Sequence, residues 1–325
     1  MARVEFERVG YVCDPAETVL DCLSRHGVAT PSSCRSGICQ TCMLRAVEGV
    51  VPAAAQKGLK ETLQQQNFFL ACACVPESDL NVALPDAQAV PKITARVVEK
   101  SQLSPSITRV RLDVADGFAY RPGQFINLGR ADGLVRSYSL ASVPELETFV
   151  ELHVQSLANG AMSSWVRDGL SSGDSVTLSE PLGGCFYVKG QPEQPLLLVG
   201  TGSGLTPLYA VARDALAQGH RGAIWLYHGS SRPDGLYLAD ELRGLSAKFS
   251  NLHYVPCVSR GEPLPGIAQG RASDIALREH PDLKGWRVFL CGHAEMVQEA
   301  KMAVFMAGVS MREIHADAFV HAAAA

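Results

Sequence analysis

The sequence predicts a multidomain protein in which an α+β domain, an antiparallel β-barrel and an α/β domain follow one another along the chain. A chain of 325 residues is long enough for two or three domains. Three observations carry this prediction: a cysteine-rich start, closely spaced strand-like runs in the middle, and an apolar run followed by a glycine loop near position 200. We expect the domains to span residues 1–88, 92–191 and 194–325.

Composition excludes several classes of protein. Apolar residues make up 47% of the chain, and the formal net charge of −4 gives no reason to expect nucleic-acid binding. No apolar run is long enough to cross a membrane, and the first residues lack the apolar core of a signal peptide. We therefore expect a cytoplasmic monomer that binds neither nucleic acid nor membrane, with reduced cysteines and with none of its nine histidines acting as a metal ligand.

Four cysteines have the spacing of an iron–sulfur site. Cys34, Cys39 and Cys42 form a C-x4-C-x2-C motif, and Cys72 follows thirty positions later. This spacing is typical of plant-type [2Fe–2S] clusters, in which two irons need four thiolates and three of them come from one tight loop. Small residues such as Gly37 let backbone amides approach the cluster.

Two other interpretations of the cysteines are weaker. A zinc site more often has two C-x2-C pairs, and a disulfide framework needs an oxidising compartment. The segment resembles plant-type ferredoxin domains over about residues 1–85, which implies a β-grasp-like α+β fold and favours Cys72 over the nearby Cys74 as fourth ligand.

Alternation predicts a strand from Val4 to Val9, and Asp14 begins a helix that ends at Gly27. Residues 84–91, from Leu84 to Pro91, have the composition of a linker.

Six short strand-like runs follow the linker at close intervals, as in an antiparallel barrel. They are Ile93–Val98, Thr108–Leu112, Phe125–Leu128, Tyr138–Leu140, Phe149–Val154 and Ser175–Leu178. Four motifs occur among them in order: Arg121–Phe125, Arg136–Ser139, Gly160–Ser163 and Ser179–Phe186. Together they resemble the flavin domain of the ferredoxin–NADP reductase superfamily.

The resemblance implies FAD as the cofactor, with FMN as the alternative. Arg136 pairs with the pyrophosphate, where a planar guanidinium suits phosphate oxygens, and Tyr138 lies against the flavin ring. Ser139 lies near the reactive N5 atom as a catalytic hydrogen-bond partner. The remaining residues assigned to this cofactor site are Ser137, His153, Gly160, Met162 and Ser163.

A second cofactor site is predicted after position 195. Residues 195–200 form a fully apolar run typical of a buried parallel strand, and Gly202, Gly204, Thr206 and Pro207 follow in a loop that opens a helix. A strand, a glycine loop and a helix start form a phosphate-binding cradle. In this order the loop resembles the nicotinamide-dinucleotide site of the same superfamily.

The resemblance extends to the end of the chain. Cys291 and Gly292 match the Cys-Gly pair of the family, in which the thiol lies near the nicotinamide C4, although His293 and Ala294 replace the usual prolines. Asp317 and Phe319 match the acidic-x-Phe ending, in which the aromatic ring covers the flavin. The usual acid there is Glu. Cys291, Asp317 and Phe319 therefore join Ser139 as expected catalytic residues.

The choice between NADH and NADPH depends on the loop after the second strand. Ser231, Arg232 and Tyr237 resemble the residues that bind the 2′-phosphate of NADPH, whereas NADH-dependent relatives place an acid there and Asp234 is nearby. Because oxygenase reductases with this domain order mostly use NADH, we expect NADH.

The order of the three domains resembles the single-chain reductases of bacterial multicomponent oxygenases. NADH donates a hydride, the cluster accepts one electron at a time, and a flavin connects them because it exchanges electrons singly or in pairs. The resemblance implies that electrons pass to a separate oxygenase, or its ferredoxin, that hydroxylates an aromatic or related compound. Two alternatives are a reductase that serves a deoxysugar dehydratase and a redox-sensing module without turnover.

Overall fold

The computed structural model describes residues 2–37, 39–85 and 92–319, and the chain divides into two compact units, residues 1–88 and 89–325. The predicted linker lies outside the described residues from position 86 to position 91. Within the described part of the chain, no helix combines the length and apolar character that crossing a bilayer requires.

The first unit is a five-stranded mixed sheet with two short helices. Its strands lie in the order β2–β1–β5–β3–β4, and β1 and β5 are parallel while the other neighbours are antiparallel. This arrangement confirms the predicted β-grasp-like fold. The elements are β1 Arg3–Phe6, β2 Val9–Val12, α1 Val19–Arg25, β3 Met43–Glu48, α2 Glu61–Gln64, β4 Phe68–Leu70 and β5 Leu80–Ala83.

Two predicted boundaries in this unit are wrong. The predicted strand to Val9 stops at Phe6, because Glu7 and Arg8 have φ angles of 51° and 67° and form a two-residue hairpin turn. The helix begins at Val19 rather than Asp14, because the Thr18 hydroxyl accepts a hydrogen bond from the Asp21 amide at 3.1 Å and caps it.

The second unit begins with the predicted six-stranded antiparallel barrel. The strand order is β10–β7–β6–β11–β8–β9, and a bridge between Leu140 and Leu152 joins the two ends of this order. Apolar side chains of all six strands fill the interior. The elements are β6 Ile93–Ser104, β7 Ile107–Val114, β8 Phe125–Gly129, β9 Val135–Ser139, β10 Val150–Gln155, α3 Ala161–Ser164 and β11 Ser175–Leu178.

A six-stranded parallel sheet completes the second unit, as predicted. Its order is β15–β14–β13–β12–β16–β17, so the order reverses at β12 and leaves a crevice at the carboxyl ends of β12 and β16. The elements are β12 Leu196–Thr201, α4 Leu205–Ala217, β13 Ile224–Ser230, α5 Ala239–Lys248, β14 Leu252–Val258, β15 Ala268–Gln269, α6 Ala272–Glu279, β16 Arg287–His293, α7 Ala294–Met306 and β17 Ile314–Phe319.

We expect Leu152→Ala to destabilise the second unit strongly, because Leu152 is fully buried in the barrel core. The loss of a buried leucine side chain costs about 2 to 5 kcal/mol of unfolding free energy. All three tryptophans, at positions 165, 225 and 286, belong to the second unit, so tryptophan fluorescence during denaturant unfolding measures this unit alone.

The matched control is Leu146→Ala, since the Leu146 side chain is 53% exposed. Its unfolding free energy should change by less than about 0.5 kcal/mol. Equal destabilisation by the two variants would contradict the position of Leu152 in the core.

Candidate functional site

The four predicted cluster ligands form two thiol pairs in the first unit. The Cys34 sulfur accepts hydrogen bonds from the backbone amides of Ser36 and Cys39, both at 3.4 Å, and the Cys39 sulfur accepts from the Cys34 amide at 3.5 Å. The Cys42 and Cys72 thiols are within hydrogen-bonding reach of each other. Amide donors aimed at sulfur stabilise thiolates, so this donor set fits an iron–sulfur cluster.

Cys74 differs from these four residues. It is completely buried in the apolar core of the first unit, and burial raises the pKa of its thiol to about 12. Cys72 is only partly buried. A thiol that is protonated and enclosed by apolar side chains is a poor metal ligand, and all ten cysteines are free of disulfide bonds.

A cavity of about 900 Å³ opens between β9, β10, the start of α3 and β17. The predicted flavin residues meet here although they come from separate parts of the chain. Those that line the cavity are Arg136, Ser137, Tyr138, Ser139, His153, Gly160, Met162 and Ser163, together with Thr206, Asp317 and Phe319.

The side chains of this cavity fit a flavin dinucleotide. The Arg136 guanidinium donates to the carbonyl of Val135 and has no acidic partner among the described residues, which leaves donors for a phosphate. Burial raises the pKa of Tyr138 to about 12, so this ring is a neutral surface. His153 is 3% exposed, and its Nδ1 atom has no hydrogen-bond partner in the described structure. A buried polar atom without a partner is uncommon in native proteins, and a bound molecule in the cavity would account for it.

The Ser163 side chain, on α3, holds the loop that precedes this helix. The Ser163 hydroxyl donates to the carbonyl of Gly160 and accepts from the amide of Leu157, both at 3.1 Å. A Cβ atom on Gly160 would lie 2.5 Å from this hydroxyl, so the contact requires glycine. The Ser163 hydroxyl, which the sequence assigned to the cofactor site, therefore shapes the loop in this structure.

A second cavity of about 570 Å³ lies at the carboxyl edge of the parallel sheet. Gly202, Ser231 and Arg232 of the predicted nucleotide site line it, as do Thr201 and Asp234. The Thr201 hydroxyl is buried and lacks a partner among the described residues. A glycine loop at the start of α4, next to an unpaired hydroxyl, fits a dinucleotide.

The glycine loop lies against the end of β16. A Cβ atom on Gly204 would lie 2.2 Å from the Cys291 carbonyl oxygen, and one on Gly292 would lie 2.5 Å from the Thr201 hydroxyl. Gly292 also has a φ angle of 128°, which side chains rarely allow. Glycine at these two positions therefore allows the end of β16, with Cys291, to pack directly against the glycine loop.

The Cys291 side chain is completely buried. Its sulfur is 3.4 Å from the Cys185 sulfur, and burial, together with Cys185, raises the pKa of the Cys291 thiol well above its ordinary value. Burial also raises the pKa of Asp317 to about 6. Since β16 and β17 pair Cys291 with Asp317, a protonatable carboxyl group lies beside the thiol.

Gln155 connects the two cavities and was missed by the sequence analysis. Gln155, Ser203 and Phe319 line both cavities. The Gln155 side-chain oxygen accepts from the Ser203 hydroxyl at 3.0 Å and from the Ser203 amide at 3.4 Å. Gln155 follows His153 by two positions, so strand alternation was the available signal.

Five residues of the predicted nucleotide site do not line either cavity. Gly204, Pro207, Cys291 and Gly292 pack directly behind the linings described above. Tyr237 is 2% exposed and hydrogen-bonds the Thr206 hydroxyl at 3.2 Å, so its assignment to a 2′-phosphate is wrong.

Three family models match consecutive parts of the chain. They are the 2Fe-2S iron-sulfur cluster binding domain at residues 4–77, the oxidoreductase FAD-binding domain at 94–187 and the oxidoreductase NAD-binding domain at 198–302. The fold and these matches define a flavin- and iron–sulfur-containing NAD(P)-dependent oxidoreductase. The chain therefore carries a [2Fe–2S] cluster, FAD and a nicotinamide nucleotide.

Relatives match along almost the whole chain. The ferredoxin–NAD(P)+ reductase component of the naphthalene 1,2-dioxygenase/salicylate 5-hydroxylase systems of a Ralstonia species is 32% identical over 94% of both chains. The reductase subunit of an aromatic O-demethylase from Amycolatopsis is 33% identical over 95% of this chain and 96% of its own. The crystal structure of the Amycolatopsis cytochrome P450 reductase GcoB matches with a TM-score of 0.67, 31% identity, and coverage of 98% and 99%. The chain belongs to the family of NAD(P)H-dependent reductase components of oxygenase systems.

We expect Gly204→Ala to weaken nicotinamide binding at least tenfold and to leave the flavin and cluster spectra unchanged. The added Cβ atom displaces the loop from the Cys291 carbonyl, and overpacking of this kind costs about 1 to 3 kcal/mol. The dissociation constant of NAD(P)+ is measured from its perturbation of the flavin spectrum.

Gly244→Ala is the matched control, because its Cβ atom meets open space on α5. It should bind the nucleotide normally and gain up to about 1 kcal/mol of stability from helix propensity. Unchanged binding by Gly204→Ala would contradict the tight contact.

Proposed function

We propose that this protein takes electrons from NADH, passes them through FAD and the [2Fe–2S] cluster, and delivers them to a separate oxygenase or its ferredoxin. The oxygenase then hydroxylates an aromatic or related compound. The relatives support this proposal, because they are reductase components of naphthalene, phenol and terephthalate oxygenases. The meeting of the flavin and nucleotide cavities at Gln155, Ser203 and Phe319 is the observation that carries it.

The first cavity is assigned to FAD. Arg136 binds a phosphate oxygen, Tyr138 packs against the flavin ring, and Ser139 offers a hydroxyl to it, because these residues follow one another on β9 and line the cavity together. When bound, FAD accepts a hydride and returns electrons singly. The protein's contribution is to position the two cofactors and to exclude water from the space between them.

The region between the two cavities is assigned to hydride transfer. Thr201 and Gly202 would hold the nucleotide, and Phe319, which lies at the junction of the two cavities, would cover the flavin. Cys291 would lie behind the nucleotide site as a neutral thiol. Asp317, with its raised pKa, holds or releases a proton near neutral pH.

NADH is the proposed electron donor. The burial of Tyr237 removes one of the three side chains that resembled a 2′-phosphate site. Asp234 lines the second cavity and offers a carboxylate to the ribose hydroxyls. Arg232 also lines this cavity, so a preference for NADPH is the alternative that a direct comparison tests.

We further propose domain boundaries at residues 1–88, 92–191 and 194–325, a cytoplasmic location and a monomeric state. Each proposed domain contains one matched family segment, which supports this division. The net charge of −4 supports the absence of nucleic-acid binding.

An anaerobic titration with NADH, and separately with NADPH, tests the proposal. We expect NADH to bleach the flavin and cluster absorbance rapidly, and NADPH to do so at least tenfold more slowly. The visible spectrum measures both centres, and reduction of cytochrome c measures one-electron output. A cluster that stays oxidised while the flavin is reduced would contradict the proposed route, and faster reduction by NADPH would reverse the choice of nucleotide.

The fourth cluster ligand is tested by Cys72→Ser and Cys74→Ser. We expect Cys72→Ser to lose the visible cluster spectrum, because it removes a proposed iron ligand, and Cys74→Ser to retain it with lower stability of the first unit. Iron content and electron paramagnetic resonance of the reduced protein measure the cluster. Retention of a normal cluster by Cys72→Ser would refute this assignment.

A further inference from the structure

A row of alternating charges crosses three barrel strands and ends at the first cavity. Arg111 on β7 donates to Glu99 on β6 and to Glu151 on β10, both at 2.7 Å, and His153 is 2.9 Å from Glu151. The exposed fractions of the side chains fall along the row, from 40% for Glu99 through 26% and 8% to 0% for His153. The row therefore runs from the surface to the flavin cavity.

The register of the barrel produces this row. Glu151 is directly opposite Arg111 in the β10–β7 pair, and Arg111 is opposite Glu99 in the β7–β6 pair. His153 follows Glu151 by two positions on β10, so both side chains lie on the same face of the strand. These residues act as one unit because each hydrogen bond fixes the orientation of the next side chain in the row.

The ionisation of Glu151 determines which nitrogen of His153 carries hydrogen. Arg111 donates to Glu151 at 2.7 Å, and this charged hydrogen bond favours the carboxylate form of Glu151 at neutral pH. A carboxylate only accepts hydrogen bonds, and therefore His153 donates to it from Nε2. The Nδ1 atom is then the nitrogen without a fixed partner, and it is buried and unpaired among the described residues.

We propose that His153, held by Glu151, takes up a proton at Nδ1 when the flavin in the first cavity is reduced and releases it when the flavin is reoxidised. This inference rests on the proposed position of FAD in that cavity. It gives His153, one of the residues that line this cavity, a charge-balancing role.

The protons and electrons of this step balance. Hydride transfer moves two electrons and one proton from NADH to the flavin, which leaves NAD+ and one added negative charge on the ring. One proton from solvent then binds Nδ1 of His153, so the cavity gains no net charge. When two electrons leave in single steps, the flavin loses its proton and His153 loses its own. No other oxidant or reductant is needed.

The energetic reason is the cost of an unbalanced charge in a dry cavity. A negative charge that develops among buried groups is stabilised by a positive partner close by. Arg111 is already paired with Glu99 and Glu151, so it cannot provide this charge alone. His153 can provide it, because its buried Nδ1 atom has no partner among the described residues and a proton there makes the imidazole positive.

Several titratable and charged groups face His153 or line the same cavity. Arg109 is opposite His153 across the β10–β7 pair, and its guanidinium pairs with Glu99. The rings of Tyr209 and Tyr237 lie 6.3 and 5.4 Å from the imidazole, and burial raises the pKa of both phenols. Asp317 lines the same cavity, and burial raises its pKa to about 6.

The test is the pH dependence of the flavin midpoint potential in the full-length holoprotein. Each proton taken up with two electrons contributes about 30 mV per pH unit, because this is a tenfold change in a two-electron equilibrium. From about pH 7 to about pH 8 we expect two protons, or about 60 mV per pH unit, for the wild type. We expect His153→Gln to halve this slope, and Glu151→Gln to move the change of slope to lower pH.

His220→Gln is the matched control. His220 is also buried with an unpaired ring nitrogen, but it hydrogen-bonds Tyr187 and lines neither cavity. Its slope should equal that of the wild type. Equal slopes for the wild type and His153→Gln would overturn the inference, as would a wild-type slope of about 30 mV per pH unit in this range.

A second measurement decides the question if the variants fold poorly. In wild-type protein with 15N-labelled histidine, the Nδ1 resonance of His153 should change from an unprotonated to a protonated nitrogen when NADH reduces the flavin anaerobically. An unchanged resonance on reduction would refute the inference. A protein that contains no flavin would instead contradict the proposed function.

Discussion

The site depends on the close packing of the glycine loop against the end of β16. The backbones of Gly204 and Cys291 approach so closely that even a methyl group on Gly204 would overlap the Cys291 carbonyl. This contact joins β12, the strand of the parallel sheet that comes first along the chain, to β16 beside it. The strand order reverses at this point. Because β17 pairs with β16, the same contact also determines where Asp317 and Phe319 lie. The two cavities meet there as a consequence.

Charge is distributed unevenly around this contact. At the proposed position of hydride transfer, burial favours the neutral thiol of Cys291 and delays ionisation of Asp317. Further formal charges lie on Arg136 and on the row that begins at Glu99. A hydride carries two electrons, and burial strengthens each electrostatic contact that the protein makes with the cofactors.

Motifs were predicted better than element boundaries. The cysteine spacing predicted the first unit correctly because three ligands of one cluster come from one loop, so their separation is fixed by local geometry. The first hairpin was not predicted, because Glu7 and Arg8 adopt a left-handed conformation without the glycine or asparagine that normally indicates it. Tyr237 was assigned by position in a motif, and only its burial shows that it supports Thr206.

By itself, the sequence determined the order of the three domains, the C-x4-C-x2-C spacing of the cluster loop and the flavin and nucleotide motifs, because each of these depends on residues close together in the chain. The tertiary structure decided which distant residues share a cavity. Gln155 joins the two cavities only because the barrel places β10 beside the glycine loop. His153 has an unpaired nitrogen only because Arg111 and Glu151 lie opposite each other on paired strands. Burial and strand register are properties of the folded chain, and neither can be derived from the spacing of residues.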